Sequence, residues 1–381
     1  MKFKIRFIFL VFVSVSLICG IFPTYIKTET PNVNFQESQE LELFVHFNKY
    51  SQYSSLWGET VDNRQLAFLG TFYGTSIIDV TEPGETGEGK EIAFIPGPPS
   101  SWREMKAYFD PFSNHTYLYV VTEGYNQSFP GGLQIIDLSL PNGPELVATN
   151  NETFFMAHTI SIDRASCRIF INGPKGVQET GMIILDIRNP LSPTFLGSYD
   201  LAYVHDSYIR NNFCYAALIY DGMFQILDVS DPKAIKVLAE AETPQKFTHS
   251  TYLTDDGNFL FVVDEVKNNY LLIYDIRDLK NIKLVTQFRD QAIPPSAILH
   301  QFIVRKNFVY CAWYSKGIRV IDISDISNPT EVGHFLTYQG MNNGFIGCWG
   351  VYLDQRGYIY GSDMYKEIGF LSGGLFVVRF P

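Results

Sequence analysis

Seven positions of the sequence carry a large, hydrogen-bonding ring at a regular interval: Trp57, Trp102, His158, His205, His249, His300 and Trp349, spaced 45, 56, 47, 44, 51 and 49 residues apart. Four of the seven histidines of the chain therefore share one phase. Acidic residues accompany them. Glu59 and Glu104 stand two residues beyond the first two tryptophans, Asp206 adjoins His205, and Glu123, Glu265 and Asp363 lie in segments that can reach the same end of a repeat. Imidazole and carboxylate together bind zinc, copper, nickel, iron or manganese, and the same groups move protons near neutral pH. Three arrangements satisfy the pattern. The rings could pack between repeats, each His donating to the backbone of the next. They could line the mouth of a small-ligand site made of Trp57, Trp102, Glu104, His158, His205, Asp206, His249, Glu265, His300 and Trp349. Or His158, His205, His249 and His300 could hold a divalent metal ion, the one cofactor the residues suggest. Trp in three of the slots weighs toward packing, because indole packs and donates a hydrogen bond but is no metal ligand.

Enzyme signatures are otherwise missing from the sequence. There is no Gly-x-Ser-x-Gly turn, no His-Glu-x-x-His helix and no phosphate-cradling glycine loop. No catalytic residue is assigned. A metal-dependent extracellular enzyme stays as the alternative to a binding module, with the four histidines as ligands or acid–base groups and Glu104 and Asp206 nearby.

The elements that must position these residues recur with the same period. Gly317-Ile318-Arg319-Val320-Ile321-Asp322-Ile323-Ser324-Asp325, followed by Asn328-Pro329, has counterparts at residues 74–79, 132–137, 181–186, 222–228, 270–275 and 374–379. The copies end 58, 49, 42, 47, 47 and 57 residues apart, a period that belongs to propellers and solenoids. A run such as Ile183-Ile184-Leu185 is apolar on both faces, so it predicts a strand covered on both sides. The Asp that ends each of the first six copies precedes a turn cluster such as Val229-Ser230-Asp231-Pro232. One Asp per repeat beside a turn is what backbone capping predicts, rather than metal binding.

After each of the first six motifs comes a further strand, at residues 91–95, 145–149, 194–199, 235–240, 282–288 and 331–336. The seventh motif has none before Pro381, and residues 41–47 form a strand with no repeat of their own. Pairing the two closes a ring and removes an exposed sheet edge. The expected fold is all-β: a seven-bladed β-propeller of four-stranded antiparallel blades, with the N-terminal strand completing the last blade. First strands of a propeller are innermost, so the seven rings should encircle the channel mouth. The longest connections, at residues 123–131, 172–181 and 362–374, fall on that same face, which makes it the expected binding surface.

The 381 residues are 46% hydrophobic and 15% aromatic, ample for a core. A net charge of −11 speaks against a nucleic-acid partner, which requires a basic stripe. Residues 1–20 open with Lys2, Lys4 and Arg6, continue through a short apolar run and end near Ser16, Cys19 and Gly20, as a secretory signal does. The run is short for a membrane span, although an uncleaved anchor is the second reading. Residues 21–40 read as a polar linker and 41–381 as one propeller, secreted or at the cell surface. It is expected to be a monomer that meets an extracellular ligand or protein and touches membrane only through the N-terminal segment. Cys167, Cys214, Cys311 and Cys348 are scattered over four repeats at no zinc-site spacing, and buried thiols are expected. Asn114, Asn126 and Asn151 head glycosylation acceptors in a host that glycosylates.

The motif core, as in Phe224-Gln225-Ile226-Leu227-Asp228-Val229-Ser230, resembles the LVIVD repeat. The order of anchors resembles the choice-of-anchor B family: Leu56-Trp57-Gly58, Ser101-Trp102-Arg103-Glu104, Ala157-His158, Val204-His205-Asp206, Thr248-His249-Ser250, Leu299-His300 and Cys348-Trp349-Gly350. That resemblance covers residues 41–380 and implies an exported propeller, usually joined in bacteria to a C-terminal surface anchor. Here the sequence stops at Pro381, so release, or retention by the N-terminus, is expected. The family implies no general reaction.

Overall fold

The computed structural model describes residues 38–82, 87–126, 128–340, 344–366 and 372–381. The expected signal at residues 1–20 and nearly all of the linker lie outside the described residues. The described residues form one compact unit.

Burial explains the sheets. In Met182–Asp186 every residue is buried, which is why the motif is apolar on both faces. In Lys283–Phe288 exposed and half-buried residues alternate, the period of a strand with one wet face. Motif strands therefore sit inside the blades and polar-patterned strands at the rim. The glycine that opens a motif lets it enter the blade. Gly317 has φ 70° and Gly374 φ 95°, and a Cβ on them would lie 2.1 Å from the Phe335 carbonyl oxygen and 2.0 Å from that of Phe47, so no other residue fits. At the far end the six aspartates cap the turn. Asp79, Asp137, Asp186, Asp228, Asp275 and Asp322 each accept a hydrogen bond from the backbone N–H two residues on, at 2.8 to 3.1 Å.

Seven sheets result, each with four antiparallel strands, and in six of them those four are consecutive in the chain. Blade one is Tyr53–Val61, Arg64–Thr71, Gly74–Asp79 and Lys90–Pro96. Blade five is Thr248–Leu253, Phe259–Asp264, Leu271–Asp275 and Lys283–Phe288; blade six is Gln301–Arg305, Phe308–Ala312, Ile318–Asp322 and Thr330–Phe335. Blade seven takes Cys348–Leu353, Ile359–Asp363 and Gly374–Arg379 from the end of the chain and Glu42–Phe47 from near its start. Leu43 lies opposite Val378, and Phe47 opposite Leu375. The ring thus closes as expected. The first strands of neighbouring blades touch in an unbroken cycle, so they are the inner wall.

One feature departs from the expected linker. Gln39–Glu40 adds a short parallel strand to the rim of blade six, and the Leu41 N–H donates to His334 O at 2.8 Å. Segments on both sides of Leu41 thereby bind the last two blades. Core clusters lie between blades, as where Ala312, Ile318 and Val320 of blade six meet Val351, Ile359 and Phe376 of blade seven. All four cysteines of the described residues are free thiols; Cys214, Cys311 and Cys348 are buried and Cys167 is half-buried. Asn114 and Asn126 are exposed, and Asn151 is half-buried.

Candidate functional site: the histidine arc and the channel

The ring-bearing residues stand where each first strand begins. His158, His205 and His300 precede their strands by one residue, and their N–H groups bond to Asn172, Ala217 and Ala312 carbonyls at 2.9 to 3.0 Å. His249 and Trp349 occupy register shifts, between Thr248 and Ser250 and between Cys348 and Gly350. Such bulges re-aim a side chain that would otherwise alternate with its neighbours. Hydroxyls fix the strands laterally: Thr159 Oγ1 donates to His205 O at 2.8 Å and Ser250 Oγ to His300 O at 3.1 Å.

An arc of rings follows. Centroids are 4.1 Å apart for His158 and His205, 4.4 Å for His205 and His249, 4.4 Å for His249 and His300, 5.0 Å for His300 and Trp349, and 5.4 Å for Trp349 and Trp102. Six of the seven expected rings are thus brought together. Trp57 is not among them. In blade one the irregularity spans Ser54 and Ser55, and Ser55 lines the small void beneath the arc with Trp102, His158, His249, His300 and Trp349. The match of Trp57-Gly58 to Trp349-Gly350 misplaces the anchor by two residues. Trp57 lies further along the strand, against Tyr352 and with Lys106 Nζ 4.5 Å from its ring centroid.

Three of the four imidazoles are held by their Nδ1. His205 donates to His249 O at 3.2 Å and His300 to Trp349 O at 2.5 Å, the blade-to-blade donation that packing requires. His158 Nδ1 pairs instead with Glu123 Oε1 at 2.6 Å. Burial pushes His205 and His249 well below the ordinary imidazole range and His300 down to about 3, because a charged ring without water is unfavourable. These three are neutral at pH 7. Glu265, at the end of the second strand of blade five, faces two of them: its oxygens lie 3.6 Å from His249 Nε2 and 3.7 Å from His300 Nε2, and Tyr314 Oη donates to Oε1 at 2.7 Å. Burial pushes the Glu265 carboxyl up to about 7, with the Tyr314 hydrogen bond pulling it back.

Along the axis a cavity of about 150 Å³ is lined by Trp57, Glu104, Lys106, Asp206, Tyr208 and Tyr252, among others. Lys106 Nζ bonds Glu104 Oε1 at 2.5 Å. Burial drives Asp206 up to about 6, against the pull of Lys106. Lys106 escaped notice in the sequence, yet it stands two residues from Glu104 in a strand and so shares its face. The other acidic residues serve elsewhere. Glu59 pairs with Arg164 near the far ends of the first strands, and buried Asp363 accepts from Thr337 Oγ1 at 2.8 Å.

Arg103 supports the mouth from behind. Its buried guanidinium donates to Pro98 O at 2.7 Å, Thr71 O at 3.2 Å and Gln134 Oε1 at 3.4 Å. All are neutral acceptors, and burial pushes the group down to about 9. Arg103→Ala should cost about 3 kcal/mol by leaving these acceptors unpaired. Urea denaturation checks this, and a loss under about 1 kcal/mol would show that the loop is held without it.

The LVIVD repeat model matches residues 176–201, 256–290 and 301–337. No curated protein is similar in sequence at a significant level. Solved structures with the same fold include a putative 6-phosphogluconolactonase from Bacteroides fragilis, 12% identical, with 86% of this chain and 94% of that one covered at a TM-score of 0.58. The β-propeller domain of Myceliophteria thermophila Cps50 is 10% identical over 87% and 98% of the two chains, with a TM-score of 0.59. The computationally designed Ika8 protein is 10% identical over 86% and 83%, with a TM-score of 0.52. At these identities the likeness is one of fold alone. Repeat, sheet order and ring closure agree: the chain is a seven-bladed β-propeller carrying LVIVD repeats.

Proposed function

We propose that the chain is an exported binding or scaffold module, secreted or held at the cell surface in the manner of the choice-of-anchor B family, with its ligand seated at the channel mouth. The basic start and short apolar run of residues 1–20 support export. One observation carries the ligand site: six rings from six blades form an arc over a cavity that holds the ionisable side chains of Glu104, Lys106 and Asp206. A cavity of about 150 Å³ is smaller than the pockets that take drug-sized molecules. It suits a small polar molecule, bound through hydroxyls or an ammonium group.

Tryptophan emission tests the site, because Trp57, Trp102 and Trp349 are three of the four tryptophans and all border the cavity or the void above it. Protein kept in EDTA is titrated with monosaccharides and with free amino acids. A saturable change in emission that is lost in Lys106→Met is the expected result. No saturable response to either class would sink the channel site and move the binding surface to the outer faces of the blades. The metal-dependent enzyme reading draws on a separate observation, the meeting of His249, His300 and Glu265.

A further inference from the structure

We propose that His249, Glu265 and His300 bind one divalent transition-metal ion of the zinc class. The site narrows the four-histidine set suggested by the sequence to two imidazoles and a carboxylate. It stands whether or not a second ligand enters the channel.

Three observations carry it. The ligand atoms already converge: all three lie within 4.8 Å of one another, with the carboxylate oxygens 3.6 and 3.7 Å from the two Nε2 atoms. Metal–ligand bonds of about 2.0 to 2.2 Å in a tetrahedral site place ligand atoms about 3.4 Å apart. Atoms up to 4.8 Å apart must therefore approach by as much as about 1.4 Å to reach that spacing, through turns of the carboxylate and the imidazole rings about their own side-chain bonds.

Second, the outer contacts are those that metal ligands need. The carbonyl of Trp349 can only accept, so the His300 ring carries its proton on Nδ1 and presents the Nε2 lone pair toward Glu265. This backbone anchor on the far nitrogen fixes tautomer and ring direction, as in established metal sites. The Tyr314 hydroxyl orients Glu265 through Oε1, and the Glu265 N–H donates to Phe247 O at 3.0 Å. His249 Nδ1 is buried without a hydrogen-bond partner among the described residues, although it faces the His300 backbone. Third, a void of about 10 Å³ borders both imidazoles. That is room for about one water, and three protein ligands with one water form a four-coordinate set.

Donor chemistry sets the ion class. Two imidazoles with one carboxylate suit zinc, iron, nickel or manganese, whereas calcium and magnesium take oxygen donors throughout. The other histidine pairings lack a third donor of this kind among the described residues: His158 meets Glu123, His115 meets Asp137 and His334 meets Glu331.

The test uses full-length protein stripped with EDTA and dialysed against metal-free buffer. Zinc is titrated by calorimetry, and cobalt by the visible absorption of its bound form. Expected are one equivalent of zinc per chain, a higher melting temperature with zinc, and intense visible bands of four-coordinate cobalt. Glu265→Gln and His300→Gln should each weaken zinc by at least about tenfold, while His158→Gln and His334→Gln leave it unchanged. Should the site variants fail to fold, the cobalt spectrum of the unaltered protein still decides, since a weak octahedral spectrum overturns the proposal. Zinc binding well below one equivalent with no change in melting temperature overturns it as well. So does full affinity in Glu265→Gln. Because the emission titrations are run in EDTA, failure of either reading leaves the other standing.

Discussion

Val45→Asp is expected to lower stability by about 4 kcal/mol, a large share of the roughly 5 to 15 kcal/mol of a folded domain. Val45 is fully buried in the closing strand, opposite Val377 and in the same core cluster as Leu375, Ala67 and Ile78. A carboxylate there has no partner, and it must either stay uncharged or drag the strand out. If Glu42–Phe47 leaves, Gly374–Arg379 becomes an open sheet edge, and such edges pair with other chains. The variant should therefore also elute as larger soluble species than the unaltered chain on size exclusion. Chemical denaturation measures the first effect. A midpoint equal to that of the unaltered chain would mean that residues 42–47 do not hold the ring closed.

A second large effect is expected from acid on metal-free protein. His205, His249 and His300 have folded pKa values below that of the free side chain, so the unfolded chain binds protons that the folded one refuses. Their contribution is whole above about pH 6.5 and is lost as pH falls. For His300, held down to about 3, the loss between pH 6.5 and 5 is about 2 kcal/mol, and the other two act in the same direction. Glu265 and Asp206, raised to about 7 and about 6, work the opposite way. Folding raises their proton affinity, so their contribution is present at low pH and is lost as pH rises through those values. Three imidazoles outweigh two carboxylates, and a net loss of a few kcal/mol is expected between pH 7 and 5. Urea midpoints at the two pH values measure it, and His300→Gln should flatten the dependence. A midpoint that rises toward pH 5 would show that the carboxylates dominate.

Much of this architecture was legible beforehand because it repeats. The motif glycines answer to a backbone geometry that no Cβ tolerates, the six aspartates to a local hydrogen bond two residues long, and the doubly apolar strands to burial on both faces. Each cause acts within one repeat, so each leaves its mark in the text of every repeat. Closure was readable for a related reason, since a seventh motif without an outer strand and an unrepeated strand at residues 41–47 call for each other. The same regularity located His158, His205, His249, His300, Trp102 and Trp349 on one rim.

What the sequence could not carry is whatever depends on the exact step of a bulge or on contacts between blades. A two-residue irregularity at Ser54 and Ser55 sends Trp57 down the channel, while a shift around Trp349 lifts that ring into the arc, although Trp57-Gly58 and Trp349-Gly350 read alike as text. Glu265 follows an ordinary strand; the bulge at His249 on the neighbouring strand of the same blade brings that ring to it, and only the stacking of blade six on blade five adds His300. The sequence by itself determined the repeat, the blades and the phase of the rings, because those follow from local backbone chemistry and burial. Tertiary structure alone decided which of those rings meet a carboxylate and which merely pack, because distances between side chains on different blades are fixed by how the ring closes.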